Sequence, residues 1–257
     1  KAMRLMIKRN MQRLRRMSLL VLLALFLNKS LAKEYIIGVE AVNYYPLFDF
    51  SASDASKPSF SKELLSRFFE SRNYEYRFLP LPIKRFDKWF EEDAIDFKFP
   101  DNRIWREATN LDITYSTPAI KLMAGAYVLE KNEHIARSEV HKLGTILGFV
   151  PTLWIDEVRS GKVELMEEYS PLSVVKHLLH ANVEATNIDE NVIRFNLEQL
   201  GSKEKVVLNK GIKHQVYAYH LSSIRYPEII KEFDQYLVEH KTEIEALKNK
   251  YQIKAQL

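Results

Sequence analysis

Short apolar runs alternate along this chain with stretches whose apolar positions recur at helical spacing, and the change of period sets the expected elements. Residues 35–39, rich in β-branched side chains, predict a buried strand that runs into an aromatic loop over 43–50. Residues 51–59 read as a surface loop and 60–69 as a helix, with a strand following at 74–78. Pro80 and Pro82 are expected to break the chain before a short helix over 85–91, and 95–99 predicts another strand. Further strands are expected at 122–128, 142–149, 163–166, 183–188 and 217–221. Helices are expected at 152–159, 172–180 and from Asn191. Residues 228–251 hold two helical segments, with Ile229, Ile230, Phe233, Leu237, Ile244, Leu247 and Tyr251 on one face. Such alternation predicts an α/β protein with largely parallel sheets. No repeat of solenoid period is visible.

The N-terminal segment changes this picture. A basic stretch leads into the apolar run 17–27 and then Ser30-Leu31-Ala32, the layout of a secretory signal peptide. The run is short for a hydrocarbon core of ~30 Å, and this, with its basic flank, favours a signal peptide over a membrane anchor or a buried N-terminal helix. A mature chain of residues 33–257 is therefore expected outside the cytoplasm. Residues 1–32 carry eight basic side chains and no acid, so the remainder holds 30 basic against 34 acidic residues, a formal charge of −4. The basic balance of the whole sequence is thus no sign of nucleic-acid binding. The absence of cysteine excludes disulfides, thiolate metal sites, a cysteine nucleophile and a lipidated cysteine anchor.

Catalytic signatures are sparse. The seven histidines form no H-x-x-x-H or H-E-x-x-H pattern, and no G-x-S-x-G elbow, Walker loop or G-x-G-x-x-G occurs. What the mature chain does show is an ordered series of weak motifs. Ile37-Gly38-Val39 is followed by Tyr45-Pro46-Leu47-Phe48-Asp49-Phe50, and Ile113-Thr114-Tyr115-Ser116-Thr117-Pro118 comes later. Gly144 to Thr152 reads as a strand-to-helix turn, residues 178–190 end in Ile188-Asp189-Glu190, and the chain closes on the strand 217–219, Pro227 and a helix ending at Tyr251. In this order and spacing they resemble the extracytoplasmic solute-binding proteins of family 3, the amino-acid receptors of ABC importers.

The resemblance implies a type II periplasmic binding fold of two lobes, 33–121 with 216–257 and 122–215, with the ligand in the cleft between them. It places Asp189 where a carboxylate takes the ligand's ammonium. The alternative for the same residue, which precedes the helix from Asn191, is that helix's N-cap, and the two roles can coexist. Thr152 falls where a hydroxyl and helix N–H groups receive a carboxylate, or where a threonine merely caps a helix. Tyr45 and Phe48 are expected as an aromatic wall, against the alternative of core packing. The segment from Asp96 to Arg106 departs from the family pattern. Asp101, Asn102 and Arg103 replace a small triplet, Trp105 replaces a threonine, and the arginine that clamps the ligand carboxylate is displaced by Ala108 or Thr109. Arg103 or Arg106 then supplies the cation if the loop is remodelled, with Lys98, Asp101, Asn102, Trp105 and Tyr115 completing the expected cleft. Solvated surface is the alternative for Lys98, Arg103 and Arg106.

The function so implied is a periplasmic, non-enzymatic and monomeric receptor that captures a polar, amino-acid-like solute for an inner-membrane permease, without a cofactor or metal. A membrane sensor is the alternative partner. A cleft dehydratase using Glu184 or Glu190 is the alternative activity.

Overall fold

The computed structural model describes residues 33–51, 57–106 and 111–256. The signal-peptide reading of 1–32, most of the loop at 51–59 and the positions of Ala108 and Thr109 lie outside the described residues.

The first half of the chain builds one sheet. β1 (Tyr35–Glu40) is followed by a hairpin of β2 (Asn43–Tyr44) and β3 (Phe48–Asp49), then by helix α1 (Phe60–Ser71) and β4 (Tyr76–Leu81). Next come α2 (Phe86–Glu91), β5 (Phe97–Asp101), β6 (Thr114–Tyr115) and β7 (Ile120–Ala124). The second sheet then takes β8 (Tyr127–Leu129), β9 (Lys142–Ile146), α3 (Ile155–Arg159), β10 (Glu164–Glu168), α4 (Pro171–Leu179), β11 (Ala185–Thr186), α5 (Glu190–Gln199) and β12 (Val206–Leu208). The chain returns to the first sheet with β13 (Gln215–Ser223) and ends in α6 (Pro227–Glu239) and α7 (Lys241–Lys250).

Strand order in the first sheet is β4-β1-β5-β13-β6, with β7 also paired to β13. In the second it is β10-β9-β11-β8-β12. Each sheet has three parallel strands, but β13 runs antiparallel to β5, β6 and β7, and β8 runs antiparallel to β11 and β12. Chain reversals at the two passages between sheets impose these antiparallel strands, which apolar patterning does not reveal. α1 shows why a sequence of this kind folds as it does. Phe60, Leu64, Leu65, Phe68 and Phe69 recur at helical spacing, and all lie at 1 % exposure or less, packed with Phe97 and Phe233.

Three expectations change. Residues 122–128, predicted as one strand, form the end of β7 and most of β8 in different sheets, with Gly125 and Ala126 as the passage between. A Cβ at Gly125 would lie 2.3 Å from Leu208 Cδ1 and 3.1 Å from His214 Cβ, so the second passage crosses against bare backbone. Pro80, expected as a breaker, sits inside β4. This is an edge strand paired only to β1, so the missing N–H need not face a partner. The helix predicted from Thr152 begins at Ile155, after a turn that contains Thr152.

Gly125→Ala is expected to cost about 1–3 kcal/mol through overpacking. In a double-mutant cycle with Leu208→Ala, read by denaturant unfolding, the two costs should be less than additive. Additive costs would show that the passages do not press on each other.

Candidate functional site

β1 and β5 end and β13 begins at one side of the first sheet, and the turn after β9 lies at the facing side of the second. Between them lies a cavity of about 350 Å³, within the usual range for small-molecule sites. The first lobe contributes Glu40, Tyr44, Ile83, Lys84, Lys98, Pro100, Ile104, Trp105 and Arg106. The second contributes residues 148–154 and Asn187, and the strands of the passage contribute Ala124, Tyr217 and Tyr219.

The walls are aromatic. Tyr44 meets Phe149 edge-on at 5.3 Å across the lobes, and Trp105 stands edge-on to Tyr219 at 5.9 Å. Burial holds the hydroxyls of Tyr44, Tyr217 and Tyr219 well above the ordinary tyrosine range, so they remain hydrogen-bond donors at any physiological pH.

The charges are held by a buried acid. Asp101, fully buried, sits 3.2 Å from Lys98 Nζ and 2.7 Å from Arg106 Nη1, and accepts a hydrogen bond from the Ser222 hydroxyl at 2.5 Å. Arg106 also donates to the Tyr115 hydroxyl. Two cations thus share one carboxylate. Glu40 faces the same cavity at 5 % exposure, and its Oε2 has no hydrogen-bond partner among the described residues. Burial pushes its carboxyl up to about 8, against the opposing pull of Lys98.

The lobes touch at the mouth. Lys84 Nζ lies 3.7 Å from Glu167 Oε1, and Gly148, at φ +93°, turns past Ile83 where a Cβ would sit 3.2 Å from that side chain. The cavity is thus flanked by contact between the lobes at Lys84 and Gly148, both of which line it.

No family model and no curated protein matches the sequence. Solved structures do match. The GluR0 ligand-binding core in complex with L-glutamate aligns with a TM-score of 0.67 at 14% identity, over 86% of this chain and 98% of that one. The arginine-, lysine-, histidine-binding protein ArtJ from Geobacillus stearothermophilus aligns at 0.65 with 12% identity, over 87% and 97%. An arginine transport system periplasmic binding protein from Legionella pneumophila aligns at 0.62 with 14% identity, over 85% and 99%. The chain has the two-lobed fold of the type II periplasmic binding proteins.

Within that fold, Lys98, Trp105, Arg106 and Thr152 line the cleft. Asp101 lies behind Lys98 and Arg106 as their common counter-ion. Tyr115 lies behind Arg106, whose hydrogen bond it accepts. The other expected residues stand elsewhere. Phe48 is fully buried and stacked on Tyr44 at 5.1 Å, because its hairpin turns it into the core. Tyr45 points the other way, packing on Phe195 at 4.4 Å and Tyr251 at 6.0 Å. Asn102 caps a short turn, accepting from Ile104 N and donating to Ala218 O. Arg103 is exposed and stacks on the Tyr115 ring.

Asp189 takes its capping role. Its Oδ1 accepts from the backbone and side-chain nitrogens of Asn191, both at 2.8 Å, at the start of α5. It does not line the cavity, but the Tyr217 hydroxyl, on the cavity wall, reaches its Oδ2 at 3.5 Å. Burial pushes its carboxyl up to about 7, with the two Asn191 bonds pulling the other way.

Glu40, Tyr44, Phe149, Trp154, Asn187, Tyr217 and Tyr219 line the cleft without having been singled out. Three had a readable signal. Tyr217 and Tyr219 are two apart on a strand and so share a face, and Glu40 is an acid closing an apolar strand.

Glu40 keeps its proton to about pH 8 when folded and ionises near 4.5 when unfolded, so unfolding releases a proton between those values. Stability must then fall as pH rises through this window, at up to about 1.4 kcal/mol per pH unit. Glu40→Gln is expected to flatten the slope of unfolding free energy between pH 5 and 8, and an unchanged slope would show that Glu40 is ionised in the fold. Asp101→Asn strips the counter-ion from two buried cations, and denaturant unfolding should show a loss of about 3–5 kcal/mol.

Proposed function

We propose that this protein is a periplasmic receptor of the solute-binding family 3 type, which captures an amino-acid-like solute and delivers it to an inner-membrane importer. The observation that carries this reading is the cleft itself. A cavity of amino-acid size lies between two lobes joined by two strand passages, with the Arg106–Lys98 pair and a buried acid on one wall and aromatic rings around them. Arg106, held by Asp101 and Tyr115, stands as the cation for a ligand carboxylate. Glu40 stands as the acceptor for an ammonium, whose arrival would draw off the carboxyl's proton. We take the first lobe as 35–124 with 215–256 and the second as 127–208, with monomeric action and no cofactor.

The fold resemblance supports export, as does the reading of 1–32. Among the described residues no helix is long and apolar enough to cross a membrane. The membrane-sensor partner remains the second reading, because both partners would recognise the same closed lobes. The dehydratase reading loses its residues. The Glu184 carboxylate accepts from the backbone nitrogens of His141 and Lys142 at 3.1 and 2.7 Å, and neither Glu184 nor Glu190 lines the cleft. The fold is nevertheless also that of an ancestral amino acid-binding protein, AncCDT-1, described as a precursor of cyclohexadienyl dehydratase (TM-score 0.63, 14% identity).

The test is a thermal-shift screen of the purified protein against amino acids, polyamines, small peptides and organic acids. A ligand at about 1,000 times its Kd adds about 4 kcal/mol, a rise in Tm of about 8–16 °C. Arg106→Gln should abolish the shift and Arg103→Gln should leave it. A shift that survives Arg106→Gln would remove the carboxylate role, and no shift with any class would overturn the receptor reading.

A further inference from the structure

The C-terminal segment beyond α7 takes an unusual path. Tyr251, buried at the end of α7, donates its hydroxyl to Glu63 of α1 at 2.8 Å and so belongs to the first lobe. Gln252 then adopts φ +52° and turns the chain away. Lys254 pairs twice with one side chain of the second lobe. Its N–H donates to Asn191 Oδ1 at 2.8 Å, and its carbonyl accepts from Asn191 Nδ2 at 3.1 Å. Arg194, one turn further along α5, donates to the Gln252 carbonyl. The segment then returns to the first lobe, where Gln256 N donates to Lys121 O of β7 at 2.8 Å. It is fastened to the first lobe at both ends and to the second in the middle.

We propose that residues 252–254 form a strap that biases the two lobes toward their closed arrangement. Opening the cleft by hinge motion carries α5 away from α1 and α7, and it must break the Asn191 and Arg194 bonds or pull the strap with it. The strap also reaches the cleft wall. Asn191 Nδ2 is shared between Lys254 O and Asp189 Oδ1, and Asp189 Oδ2 meets the Tyr217 hydroxyl. Beside it, Tyr45 of the first lobe packs on Phe195 of α5 and on Tyr251, so apolar contact accompanies the hydrogen bonds. A receptor already biased to the closed state loses less of its intrinsic affinity to the closing step.

The chain contains no cysteine, so two introduced cysteines report distance without ambiguity. Lys88→Cys in the first lobe and Tyr169→Cys in the second are both exposed and outside the cleft. Carrying nitroxide labels, they are measured by pulsed electron–electron resonance without any ligand. The full chain should give a dominant short separation. A chain ending at Tyr251 should raise the open-to-closed ratio about tenfold. Arg194→Ala should move it in the same direction by a smaller amount. Distributions unchanged in both variants would overturn the proposal. If the shortened chain fails to melt cooperatively, Arg194→Ala alone decides. The readout involves no ligand, so its outcome is independent of whether the receptor reading of the cleft stands.

Discussion

The pairing of β7 with the first half of β13 is the constraint on which the rest of this structure depends. Ala124 lies opposite Gln215 and Ile120 opposite Tyr219, so the two passages between lobes leave the first sheet side by side. Asn209 N donates to Ala126 O at 2.9 Å just beyond, holding the passages together on the far side as well. Two adjacent strands bend more easily than two packed bodies deform, so any change in the angle between the lobes would bend this ribbon first. The same strand carries Tyr217 and Tyr219 into the cavity. The ribbon that joins the lobes and one wall of the cavity are therefore one element.

Electrostatics within the cleft follow from one buried carboxylate. Removing two cations from water is costly unless a counter-ion and hydrogen bonds replace the lost solvation, and Asp101 provides both from beneath the cleft wall. Its role is to hold Lys98 and Arg106 at fixed positions on the cleft wall. Glu40 is the opposite case, an acid with one oxygen unpaired among the described residues, for which the low dielectric favours the neutral form. The cleft wall thus carries a cationic pair on one buried acid and, beside it, a second acid held neutral.

Asp189 shows how one residue serves the fold and the site together. As N-cap it satisfies the first turn of α5, and its backbone N–H donates to the Tyr44 hydroxyl at 2.7 Å across the lobes. Burial beneath the aromatic wall keeps it from open contact with the cavity. Its contact with the cavity wall passes through Tyr44 and Tyr217, two tyrosines whose hydroxyls it orients.

What the sequence determined by itself was the succession of elements and, through the ordered motifs, the fold. Helical spacing in 60–69, 172–180 and 228–251 and the β-branched run at 35–39 are local signals, and local packing on one face decides them. Residues of the segment from Asp96 to Arg106 were legible as site candidates because they break the family pattern, but their roles were not. Which of Lys98, Asp101, Arg103 and Arg106 faces the cleft depends on the register of β5 against β13 and on the turn after it, which are long-range choices. The separation of Tyr44 into the cleft, Phe48 into the core and Tyr45 toward Phe195 likewise depends on a hairpin packed between lobes. The split of 122–128 into strands of different sheets was decided by the long-range partners of its two halves, β13 for β7 and β11 and β12 for β8, which no local pattern records.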